Sequence, residues 1–548
     1  MLRQLLYAAA IASVATANND KVLTSKLGPV VDLGYAAYIG NSSANGIDFF
    51  GGIPYIQPPV KDLRWRKPQQ LDESWKPSPQ RELVDARNFG PICIQQPAVV
   101  GVGVEDCVTL NIWRPSNASK DSRLPVVVYI HGGGNYYNSA QGFPMDQWVN
   151  VTDGQIIAVS IQYRLGLLGF LASETLMKDG TANGGLLDQR ASFEWLQRHV
   201  ASFGGDPNKI TISGESSGGG SVVNHLIWKG GAAASPFQAA IMQSIGNDPY
   251  PLSSVYEQCF GNVTHFVGCD QEADVMRCLR STATSALIAA VNHRPQPLCK
   301  YLPIVDGDII QDIPTKMIAQ GRFAKVPVMA GHTTNDGTGF TGSPTAITND
   351  TQLFSALTSS RYTGLSKDTF NKARALYPVS NFSSYYDMAE TLVGNTEFTC
   401  LDWFIVNKTA SYGVPAYNYR WNTPDPIQLA SSPWKGSMHT SDLYYLFQGT
   451  NSGVSSANAQ NVFRTFNATE QPLADEAISY WTSFARTSDP SAKRAGHSPV
   501  WTMGPAGRLV IQEANSTVTT GSMMEAVPAE YMARCAFWMT VANEETRI

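Results

Sequence analysis

The chain has 548 residues, of which 43% are hydrophobic and 10% aromatic, enough to fill a large core. Charged residues make up only 16% and the formal net charge is −5, so the chain has no general attraction for nucleic-acid phosphates or anionic membrane surfaces. Nucleic acid is therefore not an expected partner.

The N-terminal stretch MLRQLLYAAAIASVATANND has the parts of a secretory signal peptide. Arg3 precedes an apolar run, and Ala15 and Ala17 have the A-x-A arrangement of a cleavage site. We expect residues 1–17 to be a signal peptide and residues 18–548 to form one secreted domain; the alternative for the first segment is a short buried helix. Elsewhere the sequence has no apolar run of the roughly 20 residues that cross a bilayer.

Between about residues 120 and 250, apolar runs alternate with helical patterns. The predicted elements are strands at LPVVVYI (124–130) and QIIAVSIQY (155–163), a helix at LLDQRASFEWLQRHVASFGG (186–205), a strand at KITIS (209–213), a helix after the following glycines, and a strand at FQAAIMQS (237–244). This alternation implies a largely parallel sheet covered on both faces.

Three later strands are predicted at VPVMAG (326–331), PAYNYRW (415–421) and RLVIQE (508–513). The stretches from about 250 to 320 and from about 340 to 410 are helical and irregular, and we interpret them as insertions around the sheet. In such sheets, ligands bind beyond the carboxyl ends of the strands, so residues that carry chemistry should follow strands.

The stretch GESSG (214–218) has the pattern G-x-S-x-G between a predicted strand and a predicted helix. This context is typical of a nucleophile elbow, a sharp turn that exposes a serine hydroxyl at the sheet edge. Gly214 and Gly218 would leave room for strand and helix to approach each other. Ser216 is the expected nucleophile; the alternative is an ordinary tight turn.

The stretch YIHGGGN (129–135) follows another predicted strand. An HGGG loop in this place supplies backbone N–H donors to an oxyanion hole. We expect the donors to be the N–H groups of Gly133, Gly134 and Ser217, the residue after the nucleophile. The alternative is a flexible glycine loop.

An elbow serine needs an acid and then a histidine, in that chain order. Only His439 and His497 lie far enough downstream, and we favour His439, which lies in a small-residue loop (GSMHTS) before an aromatic helical segment. Asp336 follows a strand end in VPVMAGHTTNDGTGF. Asp306 and Asp308 stay open as alternatives, because Asp-Gly is also an ordinary turn dipeptide.

Eight cysteines, an even number, fit disulfides in an exported protein. Short separations suggest the pairs Cys93 with Cys107 and Cys269 with Cys278, which leaves Cys259 with Cys299 and Cys400 with Cys535 as guesses. There is no C-x-x-C pair in the sequence, so a metal or redox site has little support.

Nine N-x-S/T sequons are candidate acceptors for N-linked glycans. They lie at Asn41, Asn117, Asn150, Asn262, Asn349, Asn381, Asn407, Asn467 and Asn515. Together they favour a glycoprotein.

The chain closely resembles the type-B carboxylesterase/lipase family over nearly all of its length. FGGDPNKITISGESSG (203–218) fits the serine signature of the family, and EDCVTLNIWRP (105–115) fits a second signature except at Val108, where leucine is usual. Other matches are FFGGIPYIQPP and LRWRKP near residues 49–68, NGGLLDQR at 183, YWTSFARTSDP at 480 and CAFW at 535.

The resemblance implies an α/β-hydrolase fold, with a large, mostly parallel central sheet flanked by helices and carrying helical insertions. It places the acid at Asp336, where glutamate is commoner, and the histidine at His439. Ser217 stands where alanine is usual, and Arg64 with Glu105 resembles a buried ion pair of the family.

The resemblance also bears on the cysteine pairs. The family's disulfides match Cys93 with Cys107 and Cys269 with Cys278, while Cys400 with Cys535 resembles a pair found in cholinesterases. Cys259 and Cys299 have no assigned family counterpart and are paired by elimination.

These features predict a secreted serine carboxylic-ester hydrolase that acts on small-molecule esters through an acyl-enzyme, with no metal or organic cofactor. Activity should fall below about pH 6, because neutral His439 would be the base. The loop between Cys93 and Cys107 encloses only 13 residues, too few for a large lid, which favours fairly soluble short- to medium-chain or aryl esters. The alternatives are a true lipase or sterol esterase at a lipid interface and a non-catalytic adhesion protein.

Overall fold

A computed structural model describes residues 23–77, 80–99, 101–232, 234–247, 249–293, 299–359, 361–450 and 463–541. The predicted signal peptide, residues 1–17, lies outside these ranges. Within them, no helix is both long and apolar enough to cross a membrane.

The described residues form two sheets. The strands are β1 (Val30–Asp32), β2 (Ala36–Ile39), β3 (Asn41–Ser42), β4 (Ile47–Pro54), β5 (Glu82–Asp85), β6 (Thr109–Pro115), β7 (Leu124–Ile130), β8 (Ile157–Ile161), β9 (Gly205–Glu215), β10 (Ala239–Gln243), β11 (Val328–Thr333), β12 (Ala416–Trp421), β13 (Gly507–Ile511) and β14 (Met523–Ala526). The small sheet has the order β1-β2-β5, and the large one β14-β13-β12-β11-β10-β9-β7-β8-β6-β4-β3.

The centre of the large sheet, from β13 to β8, is parallel throughout. The flanking strands β14, β6, β4 and β3 pair antiparallel. The predicted parallel sheet is therefore confirmed at its centre, and its edges are antiparallel. All carboxyl ends of the parallel strands meet at one edge.

Alternate residues of the central strands enter two different cores. On β7, Val126 and Val128 belong to one hydrophobic cluster, and Val127 and Tyr129 to the cluster on the opposite face. Period-2 alternation with both faces buried explains why these strands read as continuous apolar runs in the sequence.

Helices cover both faces and form the insertions. They are α1 (Asp146–Val151), α2 (Gly166–Phe170), α3 (Glu174–Asp179), α4 (Gly184–His199), α5 (Ser217–Leu226), α6 (Ser253–Phe266), α7 (Val275–Ser281), α8 (Thr284–Asn292), α9 (Pro314–Ala319), α10 (Thr338–Thr341), α11 (Asp350–Thr358), α12 (Lys367–Arg374), α13 (Tyr385–Gly394), α14 (Cys400–Ala410), α15 (Pro426–Ser431), α16 (Ser441–Leu446), α17 (Glu470–Thr487) and α18 (Ala529–Thr540). A π-helical segment, Asn395–Thr399, joins α13 to α14.

Four disulfides tie these elements together. They join Cys93 with Cys107, Cys259 with Cys299, Cys269 with Cys278, and Cys400 with Cys535, the same pairs that the sequence suggested. The longest link spans 135 residues and connects α14 to α18. The expected ion pair is also present: Arg64 Nη2 lies 2.8 Å from Glu105 Oε2.

Candidate active site

Three polar side chains meet at the carboxyl edge of the large sheet. Ser216 lies in the turn between β9 and α5, Asp336 follows β11, and His439 precedes α16. His439 Nε2 is 2.9 Å from Ser216 Oγ, and His439 Nδ1 is 2.8 Å from Asp336 Oδ1. The structure therefore brings together the three side chains that the sequence nominated from segments up to 223 residues apart.

The turn at Ser216 has the strained backbone expected of an elbow. Its φ is 58° and its ψ is −126°, a backbone conformation that residues other than glycine rarely adopt. Surrounding contacts must therefore enforce it. A Cβ at Gly218 would lie 2.2 Å from the carbonyl oxygen of Ile130, and one at Gly214 would lie 2.5 Å from the carbonyl of Gly218. Only glycine fits at these two positions, as the G-x-S-x-G pattern predicted.

The Asp336 carboxylate is held from two sides. Its Oδ2 accepts hydrogen bonds from the Ser244 hydroxyl and the Thr333 N–H, both at 2.9 Å, which leaves Oδ1 directed at His439. Asp336 is almost completely buried. A fixed carboxylate at Nδ1 favours the imidazole tautomer in which Nδ1 carries the proton and Nε2 can accept a hydrogen bond from the Ser216 hydroxyl.

Backbone pairing holds the His439 loop, and two aromatic rings pack against its imidazole. Its loop pairs with the acid loop through a bridge between Asn335 and Met438. The Phe398 ring stacks on the imidazole with centroids 4.2 Å apart, and Phe340 meets it edge-on at 5.3 Å. Phe398 comes from the π-helical segment, and nothing in the sequence pattern marked it as a neighbour of the histidine.

Two further buried carboxyl groups lie beside the triad and were not predicted. Glu215 Oε1 is 3.2 Å from His439 Nε2, and burial raises the pKa of Glu215 well above its usual range, helped by the charges of Asp442 and Asp336. Burial also raises the pKa of Asp442 to about 6, while a hydrogen bond from Gln243 opposes that rise. The raised pKa favours the neutral form of Glu215, so this carboxyl group adds less negative charge at the imidazole than an ordinary glutamate would. The position of Glu215 inside the G-x-S-x-G pattern was the sequence signal that could have indicated its place beside the triad.

The expected oxyanion donors flank Ser216. Gly133 and Gly134 line the cleft in front of the hydroxyl, and Ser217 begins α5 directly behind it. Among the described residues, no hydrogen bond uses the backbone N–H of any of these three. The loop turns through positive φ at Gly133 (113°) and Gly134 (60°), a path that glycine follows without steric cost.

The cleft above Ser216 is small and partly polar. Its empty volume is about 750 Å³, open mouth included. Besides the residues already named, the lining includes Tyr136, Tyr137, Pro249, Lys300, Leu302 and Arg361. Arg361 forms an ion pair with Glu397, whose Oε2 accepts a 2.6 Å hydrogen bond from the Tyr362 hydroxyl. Part of the cleft wall is thus a charged side chain, Arg361, whose partner Glu397 is buried behind it.

The alternatives to the triad lie elsewhere. Asp306 accepts hydrogen bonds from the side chain of Asn183 and from the backbone of Ile310, and Asp308 pairs with Lys229. His497 Nε2 lies 3.6 Å from Glu476. None of the three alternatives lines the cleft at Ser216. Among the described residues, no group of three or more His, Cys, Asp or Glu is arranged to hold a metal ion.

Comparison with known proteins identifies the family. The carboxylesterase family model matches residues 20–538. The chain is 34% identical over 357 residues to lipase 2 of Geotrichum candidum, covering 55% of this chain and 62% of that lipase. It is 30% identical over 493 residues to a secreted lipase of Arthroderma benhamiae, covering 84% of each, and 27% identical over 552 residues to an acetylcholinesterase of Bungarus fasciatus, covering 94% and 85%.

A solved structure agrees with these sequence matches. The crystal structure of Aspergillus niger EstA aligns with a TM-score of 0.82 at 32% identity, covering 95% of this chain and 99% of that one. The chain therefore belongs to the carboxylesterase family and has the α/β-hydrolase fold, as its sequence predicted. It spans 62% of the length of the two Geotrichum candidum lipases that it matches.

Proposed function

We propose that this protein is a serine carboxylic-ester hydrolase that works through an acyl-enzyme. The observation that carries the proposal is the continuous hydrogen-bonded line from Ser216 Oγ through both nitrogens of His439 to Asp336. A nucleophile, a base and an orienting carboxylate in this geometry are the requirements for acyl transfer.

In the acylation step, His439 Nε2 takes the proton of Ser216 while Oγ attacks the ester carbonyl carbon. The carbonyl oxygen gains negative charge and binds the N–H groups of Gly133, Gly134 and Ser217. Asp336 stabilises the imidazolium that forms. The alkoxide then leaves as an alcohol with the proton from Nε2, and Ser216 remains esterified.

In the deacylation step, water takes the place of the alcohol. His439 removes a proton from the water as it attacks the acyl-enzyme, and the same N–H groups bind the second oxyanion. Collapse of this intermediate returns the proton to Ser216 Oγ and releases the carboxylic acid. Burial raises the pKa of Glu215 and so favours its neutral form, which limits competition from this carboxyl group for the proton on Nε2.

Replacing the nucleophile tests this proposal. Ser216→Ala should lower kcat on p-nitrophenyl acetate by about 10⁴-fold or more, because the nucleophile is lost. Asp336→Asn should lower it by about 10³- to 10⁴-fold, because His439 would lose the carboxylate that selects its tautomer. Ser221→Ala is the matched control: it removes a buried hydroxyl one turn further along α5, where Ser221 binds Gln189. A Ser216→Ala enzyme that kept a tenth of wild-type kcat would disprove the mechanism.

The preferred substrates are fairly soluble short- to medium-chain or aryl esters. The loop closed by Cys93 and Cys107 is short, with a sequence separation of 14, and the charged Arg361, paired with the buried Glu397, forms part of the cleft wall. A long alkyl chain against that wall would desolvate charge without compensation. Aryl rings can pack on Tyr136 and Tyr137, which line the cleft.

The second candidate is a true lipase or sterol esterase. Val104 in the Cys93–Cys107 loop is exposed, as is Phe340 at the cleft, and both could contact lipid. Rates on p-nitrophenyl butyrate and tributyrin, measured below and above the solubility limit, separate the two. An esterase saturates before the limit, whereas an interfacial enzyme accelerates beyond it.

The disulfides and the secreted relatives support an extracellular location. The side chains of eight of the nine sequon asparagines are exposed; Asn262 is partly buried, with its Nδ2 3.8 Å from Cys299 Sγ. A glycan bonds to Nδ2, so exposure of that atom is required. N-linked glycosylation at the exposed sites therefore accompanies the proposed secretion.

A further inference from the structure

The expected oxyanion donors come from two separate pieces of chain. Gly133 and Gly134 belong to the loop after β7, whereas Ser217 is the first residue of α5. Donors stabilise a developing oxyanion only if they converge on one point to within a few tenths of an ångström. Something must therefore hold the loop against the helix.

One side-chain hydrogen bond joins the two pieces directly. The N–H of Asn135, the residue after Gly134, donates to Ser217 Oγ at 3.1 Å. Both residues are 2% exposed, so water competes little for this bond. The acceptor is the hydroxyl of the residue whose own N–H is a proposed oxyanion donor, so this hydrogen bond links the two halves of the hole.

The loop needs such a fixation because its backbone is intrinsically free. Gly133, Gly134 and Asn135 have φ values of 113°, 60° and 65°, three positive angles in succession. Glycine visits many conformations at small cost, while asparagine accepts this region better than most residues but still at some cost. Other contacts must select the one path that directs the N–H groups at the substrate.

A second bond fixes Asn135 from the opposite side. Its carbonyl accepts the N–H of Gly166, at the start of α2, at 2.8 Å. The peptide groups on both sides of Asn135 are thus anchored, one to α5 and one to α2. Gly132 also packs tightly against Ser216: an added Cβ at Gly132 would lie 2.9 Å from the serine Cβ. This steric contact limits how closely the loop approaches α5, but it does not orient the N–H groups of the loop.

We propose that the Ser217 hydroxyl is a positioning residue for the oxyanion hole: by accepting the Asn135 N–H it aligns the Gly133 and Gly134 donors with the Ser217 N–H. Alanine at position 217 would keep the backbone donor and lose the acceptor. The loop would then sample further conformations. The transition state would lose more stabilisation than the ground state, because only the transition state carries the oxyanion. This inference rests on the proposed hydrolase function.

The test is Ser217→Ala with Ser221→Ala as matched control. Both variants remove one buried hydroxyl from α5, but the Ser221 hydroxyl accepts a hydrogen bond from Gln189, whereas the Ser217 hydroxyl accepts one from the loop after β7. Ser217→Ala should lower kcat on p-nitrophenyl acetate about ten-fold with KM within two-fold, since misalignment costs less than deletion of a donor, which is about 10²- to 10³-fold. The Ki of an alkylboronic acid, whose serine adduct places an oxygen in the hole, should rise by a similar factor.

Ser217→Thr keeps the hydroxyl acceptor and should restore most of the boronate affinity. If the hydroxyl of Ser217 only contributed to packing, threonine would not be expected to restore that affinity. Thermal midpoints of the three variants show whether each one folds. Equal kcat and boronate Ki in wild type and Ser217→Ala, or equal losses in Ser217→Ala and Ser221→Ala, would overturn the inference. Ser216→Ala separates the two levels: if it stays active the proposed function fails, whereas if it is inactive and Ser217→Ala is unchanged, only the positioning role fails.

Discussion

Non-glycine residues with a positive φ recur in the candidate active site. The φ of Ser216 is 58°, that of Asn135 next to Gly134 is 65°, and that of Thr440 next to His439 is 76°. Such a conformation costs about 1 to 3 kcal/mol for a non-glycine residue, most for a β-branched one such as threonine. Folding stability is thus given up at three places where the backbone direction decides where the proposed catalytic groups point.

The residues of the site differ in how far the sequence could predict them. Ser216 was marked by its strand–turn–helix context, because the close packing there admits only glycine on either side. Asp336 was not separable from Asp306 by residue type alone, since both are Asp-Gly pairs after apolar runs; the family resemblance favoured it, and the structure places it at His439. Glu215 and Phe398 become neighbours of His439 only through long-range folding, which local patterns do not encode.

Glu390 gives a pH dependence at the residue scale. Burial raises its pKa to about 8, opposed by a hydrogen bond from Asn335 Nδ2 at 3.1 Å. An unfolded glutamate ionises near about 4.3, so between about pH 4.5 and pH 8 the unfolded state binds fewer protons and wild-type stability falls as pH rises, by up to about 1.4 kcal/mol per pH unit.

Glu390→Gln keeps the acceptor for Asn335 and cannot ionise. Its free energy of unfolding relative to wild type should therefore increase steadily from pH 5 to pH 8, measured by urea denaturation at several pH values. Glu272→Gln, at an exposed surface position, is the control and should show no trend. A flat difference for Glu390→Gln across this window would contradict the raised pKa.

At the scale of elements, prediction succeeded where both strand faces are buried. β7 and β11 begin and end within two residues of their predicted bounds, because continuous apolar runs leave few alternatives. β4 and β6 were recognised only as family motifs. Their antiparallel pairing is broken by a register shift at Gly51 and Gly52, between Phe50 and Ile53, and a bulge of this kind interrupts the alternation that marks a strand.

The π-helical segment Asn395–Thr399 is an element that no sequence pattern indicated. Asn247, close to the nucleophile, donates from its backbone N–H to the Glu397 carbonyl at 2.9 Å and from its side chain to the Thr396 carbonyl at 3.2 Å. π-helical turns release carbonyls from the usual helical ladder, and these two are used to fix the segment beside the cleft. The same segment supplies both Phe398 and Glu397.

The ion pair between this segment and Arg361 leads to a substrate prediction. In Arg361→Met/Glu397→Gln the wall becomes neutral while glutamine still accepts the Tyr362 hydroxyl. We expect kcat/KM for longer acyl chains to rise relative to acetate by about three- to four-fold for each methylene the cleft newly accepts, the equivalent of about 0.8 kcal/mol. The measurement is a series of p-nitrophenyl esters from acetate to decanoate.

A double variant of a distant ion pair controls for the loss of charge. Lys372→Met/Asp368→Asn alters an exposed i,i+4 pair on α12 and should leave the chain-length profile unchanged. Parallel profiles for wild type and Arg361→Met/Glu397→Gln would mean that this wall does not limit acyl length.

At the scale of the whole molecule, the insertions have a core of their own. A cluster that includes Leu353, Phe370, Leu392 and Trp538 packs α11, α12, α13 and α18 against one another, apart from the two cores on the sheet faces. The Cys400–Cys535 disulfide lies inside this cluster. That residues 18–548 form one domain stays a prediction. The separate cluster matters most for it, because a core of its own is what a second domain would have.

The disulfides should differ in their contribution to stability according to the loops that they close. Cys400 and Cys535 are 135 residues apart, whereas Cys269 and Cys278 are only 9 apart. The chain-entropy relation assigns about 5 kcal/mol to the longer loop and about 2.6 kcal/mol to the shorter one. The longer link also holds α18 against α14, so its loss frees packed apolar surface. We therefore expect Cys400→Ala/Cys535→Ala to lower the urea midpoint about twice as far as Cys269→Ala/Cys278→Ala. The measurement is urea unfolding followed by tryptophan fluorescence.

Esterase activity measured in the same samples completes the test. Because the triad does not touch either disulfide, the activity per folded molecule should stay near wild type in both variants. An equal loss of stability in the two would show that the loop length and the packing of α18 do not decide the contribution of these links.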